Sequence, residues 1–201
     1  MYGTPFLEKG RIIMSIKIYV DQGHNPRDFN TGAEGNGYFE QDITYDIGVR
    51  LYERLVANPA FEARLSRPTE NTVLGFNNSS SLTERVREAN SWGADVFISL
   101  HTNAAVTTQA TGSEALVYST SSPVAAPLAE NILEELVKKT GLRNRGVIAR
   151  PGLYVLRRTQ MPAVLVEMGF ITNPTDAELM VNSPELFAEG IYQGIVDYFN
   201  A

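Results

Sequence analysis

Residues 95–100 read Asp-Val-Phe-Ile-Ser-Leu, and His101 follows directly. A run this short and this apolar is a strand buried on both faces rather than a helix. Residues 163–166, Ala-Val-Leu-Val, repeat the pattern and are followed by Glu167. Ile16 to Val20 is the third such run and ends at Asp21. Strands of this kind, alternating with longer helical patterns, specify an α/β fold: a twisted, mostly parallel sheet flanked by helices on both faces, in a single domain.

Between the first two strands, Ile43, Ile47, Leu51 and Leu55 recur every four residues. That spacing predicts a helix over about 40–57, ended by Asn58-Pro59, because proline disfavours helical geometry in the residue before it. Phe61 to Leu65 is expected to be a strand. Ser81 to Glu84 (SLTE) reads as a capping box opening a helix that stops at Gly93. Glu114 to Tyr118 is expected to be a strand, Pro127 to Thr140 a helix closed by Gly141, and Tyr154 to Leu156 a short strand. Short and long helices are expected near 176–181 and over 185–199. Residues 1–15 read as a leader or disordered N-terminus, with Met14 a candidate start, and residues 16–201 as the domain itself. The leader lacks the basic start, apolar stretch and small-residue cleavage site of a signal peptide.

The chain of 201 residues carries a net charge of -6. That balance disfavours nucleic acid, whose phosphates call for a basic surface, and no uncharged run reaches membrane-spanning length. A monomer that binds no nucleic acid and inserts in no membrane is expected. Cysteine is absent, which excludes disulfides, thiolate nucleophiles and cysteine-held zinc together.

Only two histidines occur. His24 lies three residues beyond the first strand, and His101 directly follows the second. Ligands of an open parallel sheet bind outside the carboxyl ends of its strands, so both stand at the functional edge. Glu167 stands there as well, at the end of an apolar strand, where burial makes its charge costly unless a cation compensates. A catalytic zinc ordinarily takes three protein ligands, which leaves the third place to a carboxylate. Glu40, at the start of the returning helix, and Glu34, in the loop before it, both fit by spacing. Two histidines and a carboxylate also suit non-haem iron, although nothing else in the sequence points to an oxygenase. Singly, each residue has an ordinary structural explanation: Glu40 complements a helix dipole, and a lone histidine is commonly a surface group. Their coincidence at one edge carries the case. Gly32, Gly35 and Gly37 have the wrong order for a dinucleotide loop. Arg143, Arg145, Arg150, Arg157 and Arg158 form a local basic cluster, by default a solvated surface, though an arginine fork can hold a substrate carboxylate.

In order, the motifs DQGHNP, GAEGNGYFEQD, SLTERVREAN, DVFISLHTNA, GLRNRGV and MPAVLVEMGFITNP resemble the zinc-dependent N-acetylmuramoyl-L-alanine amidases of the third amidase family. The resemblance runs from about residue 17 to 199. It implies hydrolysis of the amide between the lactyl group of N-acetylmuramic acid and L-alanine in peptidoglycan, at the bacterial cell wall, with one zinc ion. It also implies His24, Glu40 and His101 as metal ligands, choosing Glu40 over Glu34, and Glu167 as the catalytic residue. The chain departs from the family pattern around the first histidine, with Gln22 before Gly23-His24 and Asn25-Pro26 after. An endolysin, an autolysin and a sporulation enzyme all fit. The competing expectations are another zinc hydrolase of wall peptides, such as a carboxypeptidase or deacetylase, and a catalytically silent wall-binding module.

Overall fold

A computed structural model describes residues 5–8 and 11–201, with side chains from Ser15 onward. Of the expected leader, residues 1–4 and 9–10 lie outside the described residues. Pro5–Glu8 (β1) and Arg11–Met14 (β2) pair as antiparallel strands. The main sheet has six strands: β3 (Ile16–Gln22), β6 (Phe61–Leu65), β7 (Val96–Asn103), β8 (Ser113–Val117), β9 (Asn144–Ala149) and β10 (Ala163–Phe170). Their order is β6-β3-β7-β10-β8-β9. The first four run parallel, and β8 with β9 run against them. A two-residue ribbon, β4 (Glu34–Gly35) with β5 (Tyr38–Phe39), lies in the loop after β3.

The helices are α1 (Glu40–Ala57), α2 (Asn78–Trp92), α3 (Ala125–Thr140), α4 (Tyr154–Arg158), α5 (Pro174–Asn182) and α6 (Pro184–Phe199). The stripe Ile43, Ile47, Leu51 and Leu55 turns α1 into the core, as its spacing requires. That core joins α1, α3 and α6 to one face of the sheet through Ile18, Val20, Ile98, Leu100, Val164 and Val166. Helices α3 and α6 approach so closely that a Cβ on Gly194 would stand 2.4 Å from the Ile132 Cα. A smaller cluster covers the other face, where α2 and α4 meet Tyr19, Phe97 and Leu165.

The structure corrects several sequence expectations. The capping box of α2 is Asn77 with Ser80, so the helix begins three residues before Ser81. Asparagine accepts the same backbone hydrogen bond as serine, and SLTE falls inside the first turns. Tyr154–Arg158 is helix rather than strand, an amphipathic turn whose Val155 and Leu156 alone are buried. β9 was not expected from the sequence, because its half-buried edge position leaves little alternation to read. Strands β7 and β10 extend past the expected ends, so His101 and Glu167 lie within them.

Candidate metal centre and its carboxylate neighbour

Three central, adjacent, parallel strands build the site. β3 delivers His24 in the loop beyond its end, β7 carries His101, and β10 carries Glu167 in register with His101. Side chains alternate across a strand. On β3, Ile18 and Val20 enter the large core while Tyr19 and Asp21 face α2. On β7 and β10 the same alternation puts Ser99, His101 and Glu167 on the α2 side. Glu40 reaches them from the first residue of α1, whose N–H is held by the Ala33 carbonyl at 3.0 Å.

The donor atoms of His24, Glu40 and His101 converge. His101 Nδ1 lies 3.0 Å from Glu40 Oε1, His24 Nε2 lies 3.2 Å from that oxygen, and the two nitrogens are 3.1 Å apart. Each ring nitrogen directs a single lone pair or hydrogen, so these approaches cannot all be hydrogen bonds. A cation above the triangle satisfies all three atoms at once. Tetrahedral zinc with bonds of about 2.0–2.1 Å has ligand edges of roughly 3.3 Å, close to the triangle seen. The residues present therefore fit a metal ion. Glu34 lies in the two-residue ribbon and is not a member of this cluster.

The supporting contacts favour ligand states. His24 Nδ1 is 3.2 Å from the Asn30 backbone carbonyl, which can only accept, so Nδ1 carries the hydrogen and Nε2 keeps its lone pair. Glu40 Oε2 accepts from Ala33 N–H at 2.8 Å, and Oε1 from Thr102 N–H at 2.9 Å. Burial opposes ionisation of Glu40, but hydrogen bonds and charge from His101 and His24 outweigh it and hold the carboxyl far below its usual range. His24 itself sits at φ 71°, a left-handed conformation rare for a side chain of this kind and typical of strained functional positions. Gly32 makes room for the pair: at φ +82°, a Cβ there would stand 2.7 Å from Glu40 Oε2 and 2.8 Å from the His24 ring.

Arg85, quoted within SLTERVREAN but given no role from the sequence, underlies this loop. It is 1 % exposed and donates to Asp21 Oδ1 at 2.5 Å, to the Gln22 carbonyl at 2.6 Å and to the His24 carbonyl. Asp21 is buried, which disfavours its charge, yet Arg85 and a Ser99 hydroxyl at 2.7 Å hold its carboxyl below the usual range. The available signal was placement: Ser81, Arg85 and Ala89 share the inward face of α2.

Glu167 has the opposite environment. Its Oε2 is buried with no partner among the described residues. Burial pushes its carboxyl up to about 8, helped by the charges of Glu40 and Glu114. Glu114 lies beside it, paired Cα to Cα across β10 and β8. A cation at the triad would draw the value back toward neutrality, where a carboxyl can both take and return a proton.

The structure divides the arginine cluster. Arg145 stands at the same strand edge as Glu167, donating through Nε to Glu114 Oε2 at 3.0 Å. Arg150 lies at the opposite edge, its N–H on the Val117 carbonyl. A groove of about 730 Å³ between Arg64, Glu88 and Trp92 contains none of the four predicted site residues. A small apolar cavity of about 110 Å³ adjoins both histidines, lined also by Leu82, Tyr154 and Leu165.

The family described as "N-acetylmuramoyl-L-alanine amidase" matches residues 18–197. The chain is 36% identical over 188 residues to N-acetylmuramoyl-L-alanine amidase CwlM of Bacillus licheniformis, covering 92% of this chain and 69% of that protein. It is 37% identical over 191 residues to N-acetylmuramoyl-L-alanine amidase LytC of Bacillus subtilis, covering 93% of this chain but only 36% of that longer protein. The crystal structure of an N-acetylmuramoyl-L-alanine amidase from Clostridium difficile 630 superposes with a TM-score of 0.83 at 29% identity, covering 93% of this chain and 98% of that one.

Proposed function

The chain belongs to the N-acetylmuramoyl-L-alanine amidase family and so is an enzyme of peptidoglycan hydrolysis; we propose that it works with one zinc ion held by His24, Glu40 and His101, and with Glu167 as the proton carrier. The observation that carries this reading is the triangle of donor atoms at 3.0–3.2 Å with an unpartnered carboxyl oxygen in register beside it. Iron accepts the same donors, but hydrolysis of an amide calls for no redox change, and this set is usual for hydrolytic zinc. When bound, such a cation would acidify water toward a pKa of roughly 7 and polarise the scissile carbonyl.

The protein's own residues supply the rest. Asn30 holds His24 in the tautomer that leaves Nε2 free. The Ala33 and Thr102 N–H groups fix both oxygens of Glu40, so the carboxylate cannot swing away as substrate enters. Arg85 keeps the His24 loop against the sheet. Glu167 takes the proton of the attacking water and returns it to the nitrogen of L-alanine as the carbonyl–nitrogen bond breaks, leaving a lactyl carboxylate and a free amino terminus. A protonation range reaching to near neutrality lets one group do both. No covalent intermediate is required. The substrate places this action at the bacterial cell wall; among the described residues no helix is long and apolar enough to cross a membrane.

Mass spectrometry of digested peptidoglycan tests the reading. New L-alanine amino termini are expected, halted by chelator and restored by zinc. Released acetate or terminal D-alanine would instead indicate a different wall hydrolase, and binding without any product a silent module.

A further inference from the structure

The residues at the carboxyl edge form a row across four neighbouring strands: His101, Glu167, Glu114 and Arg145. Glu167 pairs in register with His101 on one side and Glu114 on the other, and Ser113 pairs with Asn144, one residue before Arg145. Three carboxylates, Glu40, Glu167 and Glu114, lie along or beside this row. A substrate bearing carboxylates of its own meets repulsion there unless a cation receives it.

Arg145 is a cation placed in this row. Its Nε is fixed on Glu114 Oε2 at 3.0 Å, Nη1 is 3.3 Å from the Thr111 carbonyl, and the guanidinium lies over Phe170 at 4.9 Å from the ring centroid. Two of its N–H groups are thus engaged, and the remaining donors of the fork have no protein partner among the described residues. The side chain is 33% exposed, so the group is held in place yet open to solvent. Arg85 is taken up by Asp21 and backbone carbonyls, and Arg67 by the Gln41 and Glu70 carbonyls.

The amidase reading gives this cation a defined counterpart. Once the lactyl carboxyl is in amide linkage, the glycan part of the substrate carries no ionised group, whereas the stem peptide carries carboxylates. We propose that Arg145, positioned by Glu114 and Phe170, is a specificity residue that binds a free carboxylate of the stem peptide, so that the peptide runs over β8 and β9 and the glycan over the β3 side. The reach is adequate. Strands lie about 4.8 Å apart, so two spacings separate the backbones at Glu167 and Arg145 by about 10 Å. A carboxylate on the residue after L-alanine stands about 7 Å from the scissile amide in an extended peptide, and the arginine side chain spans the remainder.

The proposal rests on the amidase reading, and the test separates the two. Matched muropeptides are used that differ only in bearing a free carboxylate or a carboxamide on the residue after L-alanine. Wild-type protein is expected to favour the carboxylate by about tenfold in kcat/KM, chiefly through KM, the scale of one charge-assisted hydrogen-bonded contact. Arg145→Gln should bring that ratio close to one, and Arg145→Lys should keep part of it. The ratio is read within each enzyme, so a general loss of folded protein or of kcat leaves it interpretable. Equal use of both substrates by wild type, or an undiminished preference in Arg145→Gln, overturns the proposal. Failure of wild type to free an L-alanine amino terminus from either muropeptide overturns the amidase reading itself, and the proposal with it.

Discussion

The two faces of the central sheet are made from the same strands and do different work. Toward α1, α3 and α6, residues Val96, Ile98 and Leu100 of β7 and Val164, Val166 and Met168 of β10 are apolar to the last. Toward α2, the alternate residues turn polar near the carboxyl edge: Tyr19 gives way to Asp21, Phe97 to Ser99 and then His101, Leu165 to Glu167. One face buries area for stability. The other gives up apolar burial to hold a charged Asp21–Arg85 pair, a strained histidine and an unpartnered carboxyl, the kind of local cost that concentrates at functional sites.

That division is open to direct attack, and the largest stability effect is expected at its polar side. Arg85→Met leaves the Asp21 carboxylate buried and unpaired and should cost about 3–5 kcal/mol in urea unfolding. Metal affinity should fall with it, because the His24 carbonyl loses its anchor. A result near zero would mean the pair is not needed to hold the loop. On the apolar face, Leu51→Ala is expected to cost about 3 kcal/mol while leaving turnover per folded molecule unchanged. If turnover falls instead, the faces are not separable.

Glu167 sharpens the comparison through pH. Its carboxyl is raised from 4.5 to about 8 by burial and neighbouring charge. Between those values the metal-free folded protein holds a proton that the unfolded chain has lost, so stability declines as pH rises through that window. Glu167→Gln has no such proton to lose. The metal-free variant should match wild type near pH 4 and exceed it by roughly 2 kcal/mol at pH 8, allowing for solvent access. Parallel stability curves would contradict this. Smallest in expectation is Gly194→Ala, at about 1–2 kcal/mol, because its Cβ must displace the α3 backbone at Ile132. Thermal unfolding with unchanged metal binding checks it.

Much of this was legible in the sequence because it rests on strong local signals. Buried strands announce themselves as apolar runs, and the every-fourth-residue stripe of α1, with the Asn58-Pro59 stop, placed that helix. His24 and His101 stood out by scarcity and by position after strands. Glu40 did not: spacing admitted Glu34 equally, and only the family motif chose between them, because what brings Glu40 to the site is the packing angle of α1. Arg85 and Asp21 were passed over for a related reason. An arginine on a helix and an aspartate after a strand are ordinary until tertiary structure buries them against each other 64 residues apart in sequence. β9 and the helical turn α4 lacked enough buried residues to carry a readable period.

The proposed mechanism rests on a separation of roles, with three residues holding zinc and a fourth moving protons. It is tested most directly by measuring zinc content and peptidoglycan turnover on the same preparation of Glu167→Gln. The predicted result is one zinc per chain, as in wild type, with release of L-alanine amino termini reduced by about 10²–10⁴-fold. Wild-type turnover by this variant, or loss of its zinc, would contradict the account.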